Sequence, residues 1–274
     1  MDKVYRAKIA KQNQKILDKK EHKHKFNIHK PIIFDTTVKY NIQIGNKQSK
    51  IHLFDGSSNQ AMHDSYNRNP LHRIAVLNFA SDTHAGGGYF FGAGTQEEEL
   101  CRTIPDLYPS LAYNEHKFKS YDSNRHIKYN SDLTLFRQDC FQSNQMYTIL
   151  PEHKKISVIS AAAPNFNSYE NIVKLKKDKA QLFNDIKKII ELIYLVPIIA
   201  NDNINVIILG AFGCGAFAPP IDFQNEINVN YTKEIAKLFL EVIQSYPNLY
   251  DHVYFAIPTM FNDYNYKMFS QVIN

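Results

Sequence analysis

Three consecutive glutamates follow a glycine triplet in this chain, and both are residue types that can support chemistry. A spacer of seven residues separates Gly86, Gly87 and Gly88 from Gln96, which Glu97 and Glu98 follow directly. Acid–base hydrolysis requires a carboxylic acid that donates a proton and a carboxylate that takes a proton from water. Adjacent side chains diverge by about 100° on a helix and about 180° on a strand, so the two glutamates cannot flank one bond. The pattern therefore favours one carboxyl that acts in turn as acid and base, or a helix start whose acids complement its dipole.

A second glycine cluster, Gly210, Gly213 and Gly215, follows the apolar run at residues 206–209. The first loop also contains Gly92 and Gly94, so eight of the ten glycines lie in these two loops. Backbone N–H groups just beyond a strand end can bind an anion, so this loop predicts a diphosphate-binding turn. The alternative is a tight turn that needs glycine for packing. Cys214 is expected to be a small packed thiol, because no paired histidine can be identified for a nucleophile.

The elements that position these loops are predicted from apolar runs and helical periodicity. Short apolar runs predict strands at 74–80, 157–163, 206–209 and 253–257. Apolar residues at helical spacing predict helices at 175–194 and 232–243. Residues 114–132 are polar and without periodicity, which predicts a long surface loop. The alternation of strands and helices predicts an α/β fold with a sheet flanked by helices.

The first fifty residues differ from the rest. Residues 4–20 predict a basic helix, and a polar segment with histidines and lysines follows it. We expect residues 1–50 to form a helical, basic extension packed on a catalytic domain of residues 51–274. For the run of histidines and lysines at 21–30, a solvated helix end followed by a polar linker is expected in preference to a metal or nucleic-acid site.

Composition excludes several classes of protein. Of 274 residues, 44% are hydrophobic and 22% charged, which is typical of a globular chain and not of a disordered or collagen-like one. The net charge of +5 suits a phosphate-bearing ligand but is small for a nucleic-acid binder. Three cysteines without CxxC spacing indicate a reducing compartment, and no leader or membrane span is evident, so we expect a cytoplasmic location, with leaderless or specialised secretion as an alternative.

Two further signatures are missing from the glycine loops. Neither contains the GxxxxGK[ST] lysine of a P-loop or the GxGxxG spacing of a dinucleotide fold. No cluster of acidic or histidine ligands stands near either loop in the sequence. The sequence therefore implies neither a cofactor nor a metal.

The two loops together resemble the microbial-type poly(ADP-ribose) glycohydrolases. The glycine triplet, the short spacer and Gln96-Glu97-Glu98 are similar to the signature of that family, and the similarity continues through 107–111, 161–165 and 210–217. The resemblance implies a macrodomain-like catalytic core that cleaves the ribose–ribose bond of poly(ADP-ribose). The chain departs from the family pattern at His84-Ala85, at Phe212 and at residues 218–220.

Carried over residue by residue, the resemblance implies a catalytic role for Glu98 and a supporting role for Glu97 toward ribose hydroxyls. It implies substrate contacts from residues in both loops, namely Gly86, Gly87, Gly88, Gln96, Gly213, Cys214, Gly215, Ala216 and Phe217. The partners implied are ADP-ribose or its polymer and ADP-ribosylated proteins, without membrane or direct nucleic-acid binding. Two alternatives stay open, a hydrolase of ADP-ribose on a protein side chain and a module that binds ADP-ribose without cleaving it.

Overall fold

The computed structural model describes residues 2–42, 48–113, 125–140, 146–260 and 262–273. Within these residues one mixed sheet forms the centre of the molecule. Its strands are β1 Ile32–Asp35, β2 Lys50–Phe54, β3 Ile74–Phe79, β4 His126–Arg137, β5 Ile149–Ala161, β6 Val206–Leu209 and β7 His252–Ala256. Their order is β1-β4-β5-β3-β6-β7-β2. The run from β5 to β2 is parallel, whereas β1 and β4 pair antiparallel at one edge.

Helices cover both faces of the sheet. They are α1 Lys3–Asp18, α2 Ser58–Arg68, α3 Gln96–Thr103, α4 Leu107–Leu111, α5 Tyr169–Lys177, α6 Lys179–Ile199, α7 Ile221–Glu226, α8 Tyr231–Ser245 and α9 Tyr264–Ile273. One core packs α1 to α4 against one face, and the other packs α5, α6, α8 and α9 against the opposite face. Strand β3 supplies Ile74 and Val76 to the first core and Ala75 and Leu77 to the second, because successive side chains point to opposite faces. Burial on both faces explains why every residue of this strand except Asn78 is apolar.

The predicted fold class is confirmed, and most predicted elements occur within a few residues of the expected bounds. The strand at 206–209 matches β6. The helix predicted at 175–194 is instead two helices, because Asp178 ends α5 and caps α6 by accepting a hydrogen bond from the Gln181 N–H at 3.1 Å. The surface loop predicted at 114–132 is wrong from residue 126 onward, where β4 begins. Residues 114–124 of that prediction lie outside the described residues.

The N-terminal segment contributes to the fold in two places. Ala10 of α1 is fully buried in the core that also holds α3. Strand β1 extends the sheet by pairing with β4 along Ile32–Asp35. The division of the chain at residue 50 stays a prediction. None of the helices in the described residues has the length and apolar character needed to cross a membrane.

Candidate active site

The two glycine loops meet because their strands are neighbours. Strands β3 and β6 pair in parallel, with Ile74 opposite Val206 and Val76 opposite Ile208, so both loops leave the same edge of the sheet. A cavity of about 560 Å³ lies between them. Ligands of open α/β sheets bind in such crevices at the carboxyl ends of strands. The predicted site residues that line the cavity are Gly87, Gln96, Glu97, Glu98, Gly213, Gly215, Ala216 and Phe217.

Glu98 lies at the first turn of α3, where hydrogen bonds fix its side chain. One carboxylate oxygen accepts hydrogen bonds from the backbone N–H of Thr95, at 3.1 Å, and from its hydroxyl. The other accepts from the N–H of Gly88 at 2.8 Å. This is the reciprocal capping arrangement at a helix start. It holds the carboxyl group in one orientation at the wall of the cavity.

Glu97 points to a different set of donors at the end of β3. It accepts hydrogen bonds from the N–H groups of Ser81 at 2.9 Å and Gly86 at 3.1 Å, and from the Asn78 amide at 3.3 Å. Burial raises the pKa of Glu97 to about 7, against the effect of these donors and with a contribution from the charge of Glu98. The site therefore retains a carboxyl proton close to Glu98 near neutral pH.

The glycine triplet brings the backbone against both acids. Gly87 has a φ of +50°, and a Cβ there would lie 2.5 Å from a Glu98 carboxylate oxygen. Only glycine fits that approach. Gly86 and Gly88 donate their N–H groups to Glu97 and Glu98 and do not line the cavity. Of the three predicted substrate contacts, the structure thus places Gly87 at the cavity and the other two behind the acids.

Gln96 links helix α3 to the end of strand β3. Its side-chain oxygen accepts from the Phe79 N–H at 2.9 Å, and its amide donates to the Leu77 carbonyl at 2.6 Å and to the Ser58 hydroxyl at 3.1 Å. Each of these hydrogen bonds joins the side chain to another part of the protein. Gln96 therefore positions the helix start that presents Glu97 and Glu98.

Glu99, the third acid in the row, lies in the first turn of α3, where an acid complements the helix dipole as expected. It also forms an ion pair at 2.8 Å with Arg102, whose side chain is fully buried, and accepts a hydrogen bond from the Tyr147 hydroxyl. A buried guanidinium requires such a partner, so Glu99 stabilises α3 at the wall of the cavity, which it also lines.

The second loop combines one strained glycine with one open glycine. Gly213 has a φ of +73°, and a Cβ there would lie 2.9 Å from the Cβ of Ala163. A Cβ on Gly215 would meet no atom within 4 Å. The fold of the loop therefore requires glycine at position 213. At position 215 the fold makes no such demand, and a side chain there would extend into open space at the cavity.

Cys214 is buried between them and does not line the cavity. Its thiol donates to the Phe212 carbonyl at 3.4 Å, and burial raises its pKa to about 12. A thiol in this state is not a nucleophile, which agrees with the expectation of a packed side chain. The backbone carbonyl of Cys214 accepts a hydrogen bond from the Asn265 amide at 3.2 Å. Because the thiol is buried, any substrate contact from Cys214 would come from its backbone.

Several residues of the site were missed in the sequence. Asn78 is a polar residue inside an otherwise apolar strand, and this exception to the apolar run could have identified it as a site residue. Thr95 immediately precedes a helix with an acid three residues later, which is also recognisable. Asn265 lies at the cavity on α9, far along the chain, and no local pattern points to it. Within the described ranges, no group of three or more His, Cys, Asp or Glu side chains is arranged to hold a metal ion.

The fold and the site define a macrodomain-like α/β protein whose ligand cleft contains a buried glutamate pair. The profile of the family described as microbial-type PARG, catalytic domain, matches residues 3–145. That match covers more than half of the 274 residues, and the chain belongs to the microbial-type poly(ADP-ribose) glycohydrolases. The resemblance predicted from the two loops is confirmed. A comparison with curated protein sequences finds no match.

Solved structures of the same kind share the fold. A poly(ADP-ribose) glycohydrolase from Thermomonospora curvata is 19% identical, with a TM-score of 0.71 over 98% of this chain and 99% of that one. The same enzyme bound to the inhibitor ADP-HPD is 18% identical, with a TM-score of 0.70 over 98% and 99%. A poly(ADP-ribose) glycohydrolase from Deinococcus radiodurans in complex with ADP-ribose is 23% identical, with a TM-score of 0.64 over 84% and 86%. At these identities the likeness concerns the fold.

Proposed function

We propose that this chain hydrolyses the O-glycosidic ribose–ribose bond of poly(ADP-ribose), mainly from chain ends, with Glu98 as the general acid and base. The observation that supports it most is the position of Glu98. Its carboxyl group is fixed by Thr95 and Gly88 at the wall of a cavity bordered by two glycine loops. The family to which the chain belongs and the ADP-ribose bound in the Deinococcus radiodurans relative support the same substrate class.

The proposed reaction uses one carboxyl group twice. Glu98 donates its proton to the ribose oxygen that leaves, while the C–O bond to the anomeric carbon breaks and an oxocarbenium-like ribose forms. The resulting carboxylate then takes a proton from a water molecule whose oxygen bonds to that carbon, and Glu98 regains its proton. Glu97, with a pKa of about 7, keeps a further proton nearby and interacts with ribose hydroxyls. The loop containing Gly213 and Gly215 holds the diphosphate.

A rim held by hydrogen bonds beside Phe217 supports the proposed cleavage from chain ends. The loop is held by hydrogen bonds from the Asn167 amide to the Ala216 carbonyl and from the Phe166 N–H to the Phe217 carbonyl, each at 3.0 Å. Pro219 and Pro220 follow and restrict the backbone further. We propose that this rim leaves room for one ADP-ribose unit and little room for polymer on its far side.

Incubation with long poly(ADP-ribose) and chromatography of the released products tests this function. We expect ADP-ribose monomer from the first time point, gradual shortening of the polymer and no free oligomers. Early free oligomers would contradict the chain-end mode and show internal cleavage. Release of ADP-ribose from a singly modified protein, with no effect on polymer, would replace the proposal by the side-chain hydrolase. Binding without any release would indicate a non-catalytic module.

We also propose ADP-ribosylated proteins as the physiological carriers of the substrate, and a cytoplasmic location. The free thiols of Cys101, Cys140 and Cys214 support a reducing compartment. Direct nucleic-acid binding is not expected, because the net charge of +5 is small. Fractionation of the source cells and isolation of ADP-ribosylated proteins bound to a Glu98→Gln variant test these two points.

A further inference from the structure

The positive charge of the chain is concentrated at its N-terminus. Residues 1–30 contain ten Lys and Arg against three Asp and Glu, whereas the whole chain has 32 against 27. All of the net positive charge therefore comes from the first thirty residues, and the remainder is slightly acidic. A concentration of one sign of charge attracts a polyanion to that part of the surface.

The lysines of helix α1 form a stripe on its exposed face. Lys8, Lys11 and Lys15 are spaced by three and four residues and so share one side of the helix, opposite the buried Ile9 and Asn13. None of these three lysines forms an ion pair with a residue in the described ranges. Their ammonium groups are thus available to an external anion.

The helix begins at the edge of the catalytic cavity. The Arg6 guanidinium donates to the Gly92 carbonyl at 2.8 Å, and a Cβ on Gly92 would overlap the carbonyl oxygen of Lys3. Gly94, two residues further along, lines the cavity, as does Thr95, which holds Glu98. Arg6 projects from the same side of α1 as the buried Asn13, so the lysine stripe lies across the width of the helix, about 10 Å, from this edge of the cavity.

An exposed aromatic ring stands at the same edge. Phe91 ends the short 3₁₀ turn Tyr89–Phe91, and 78% of it is exposed, although its neighbour Tyr89 is buried. Aromatic side chains next to a cationic surface are the usual means of binding a flexible strand of bases and phosphates, because every base can stack on them. Phe91 belongs to neither hydrophobic core of the described residues, so core packing does not explain an aromatic residue at this position.

We propose that Phe91 and the stripe Lys8, Lys11 and Lys15 bind the polymer unit next to the one being cleaved. This inference rests on the proposed function and adds a second subsite to it. When the terminal unit fills the cavity, the departing ribose lies at Glu98, so the rest of the chain emerges beside Gly94. There an adenine stacks on Phe91, and the following diphosphates reach over α1 to pair with the lysines on its exposed side.

Binding measurements in the full-length Glu98→Gln background test the subsite without turnover. We expect Phe91→Ala to weaken binding of long poly(ADP-ribose) about tenfold, within the range for one lost base stack. Phe91→Tyr keeps an aromatic ring and is expected to bind as the parent does. The Lys8→Gln, Lys11→Gln, Lys15→Gln triple variant is expected to lower the slope of log affinity against log salt by about 2. Affinity for monomeric ADP-ribose is expected to stay unchanged in all of them.

Matched control variants lie on the opposite face of the sheet. Replacing Lys177 and Lys179 by Gln removes two exposed lysines of α5 and α6 that, like those of the stripe, form no ion pair within the described residues, and we expect no change in the salt slope. Unchanged polymer binding by both Phe91→Ala and the α1 triple variant would overturn the inference. Equal loss of monomer affinity would also overturn it, since the cavity would then be the part affected.

Three further outcomes distinguish this inference from its alternatives. Single-stranded RNA that competes with the polymer equally well on this surface would show a nucleic-acid site and overturn the proposal. If the parent chain fails to cleave polymer while Phe91 and the α1 lysines still determine polymer binding, the proposed hydrolase function fails and the subsite stands. If cleavage is normal and these variants change neither polymer binding nor kcat/KM, the hydrolase function stands and the subsite fails.

Discussion

Glu97 and Glu98 are neighbours in the chain, yet their carboxyl groups meet different surroundings. Glu98 accepts hydrogen bonds from Thr95 and Gly88 at the cavity wall, and Glu97 accepts from the end of β3. Consecutive side chains on a helix are rotated by about 100° from each other, so the two carboxyl groups point in different directions. We therefore expect two identical residues to perform different tasks, Glu98 in proton transfer and Glu97 in holding the substrate.

Substituting Glu98 by Gln tests its assignment with little effect on the fold. Gln also fits the third position of a capping box, so we expect α3 to keep its start. Loss of a general acid and base costs about 10²–10⁴-fold in turnover. We expect that loss in polymer hydrolysis, with ADP-ribose affinity by calorimetry nearly unchanged. Glu97→Gln serves as the comparison and is expected to affect binding more than turnover. Retention of more than about a tenth of the activity by Glu98→Gln would contradict the role.

Glu97 makes the stability of the chain depend on pH. Its pKa is raised from 4.5 to about 7, so between these values the unfolded chain releases a proton that the folded chain keeps. Glu97 is therefore expected to lower the free energy of unfolding as the pH rises through this window, by about 3 kcal/mol in total. Glu97→Gln lacks this contribution.

Urea denaturation of both proteins at pH 4.5, 6 and 8 measures the effect. We expect the stability of Glu97→Gln, relative to the parent, to increase by about 3 kcal/mol from the lowest to the highest pH. Other titrating groups cancel in this difference because both proteins contain them. A difference that stays constant with pH would mean that burial does not raise the pKa of Glu97.

Substitutions at two glycines of the second loop test ligand binding and folding separately. Gly215→Val adds a side chain in open space at the cavity wall, so we expect a folded protein whose ADP-ribose affinity falls at least about tenfold, or about 1.4 kcal/mol. Gly213→Val is expected to unfold more easily, because its φ of +73° and its contact with Ala163 exclude a branched residue. Calorimetry and thermal melts distinguish the two. An unchanged affinity of Gly215→Val would remove this loop from the binding site.

At the scale of elements, helix α1 supports the helix that presents the acids. Asn13 is buried, and its amide donates to the Tyr89 hydroxyl at 3.0 Å and to the Arg102 carbonyl at 2.9 Å. Its oxygen accepts from the Arg137 guanidinium at 2.7 Å. One side chain therefore connects α1, the turn before α3, the end of α3 and β4.

Removing this connection is expected to weaken the whole assembly. Asn13→Ala leaves several buried polar groups without their partner, and we expect the free energy of unfolding to fall by about 2–4 kcal/mol. Gln14→Ala, on the exposed side of the same helix, is the control and is expected to change it by less than about 0.5 kcal/mol. Equal stability of the two variants in urea would show that α1 does not support α3.

At the scale of the whole molecule, the N-terminal segment shares both cores. Ala10 is buried with α3 on one face of the sheet, and Phe34 of β1 is buried with α6 on the other. Unfolding either part exposes apolar surface of the other. We expect the full chain to unfold in one cooperative transition, with equal calorimetric and van't Hoff enthalpies. Two separate transitions would support residues 1–50 as an independent extension.

Local patterns in the sequence predicted much of the site. Apolar runs identified β3 and β6, and the scarcity of glycine identified the two loops that follow them. These features are local, since a strand buried on both faces must be apolar and a backbone in close contact needs glycine. The acidic row after the first loop was visible for the same reason. Fold class and family followed from these segments alone.

Only the tertiary structure determined how the segments meet. The sheet order places β3 beside β6, which brings together two loops that are distant in sequence. Strand β4 was hidden because it buries polar residues, including Asn130, Thr134 and Arg137. Their partners come from distant parts of the chain, as the hydrogen bond between Arg137 and Asn13 shows. Burial of Glu97 and its raised pKa depend on the same kind of contact. A polar residue can be buried where the fold supplies its hydrogen bonds, and that supply cannot be inferred from neighbouring residues.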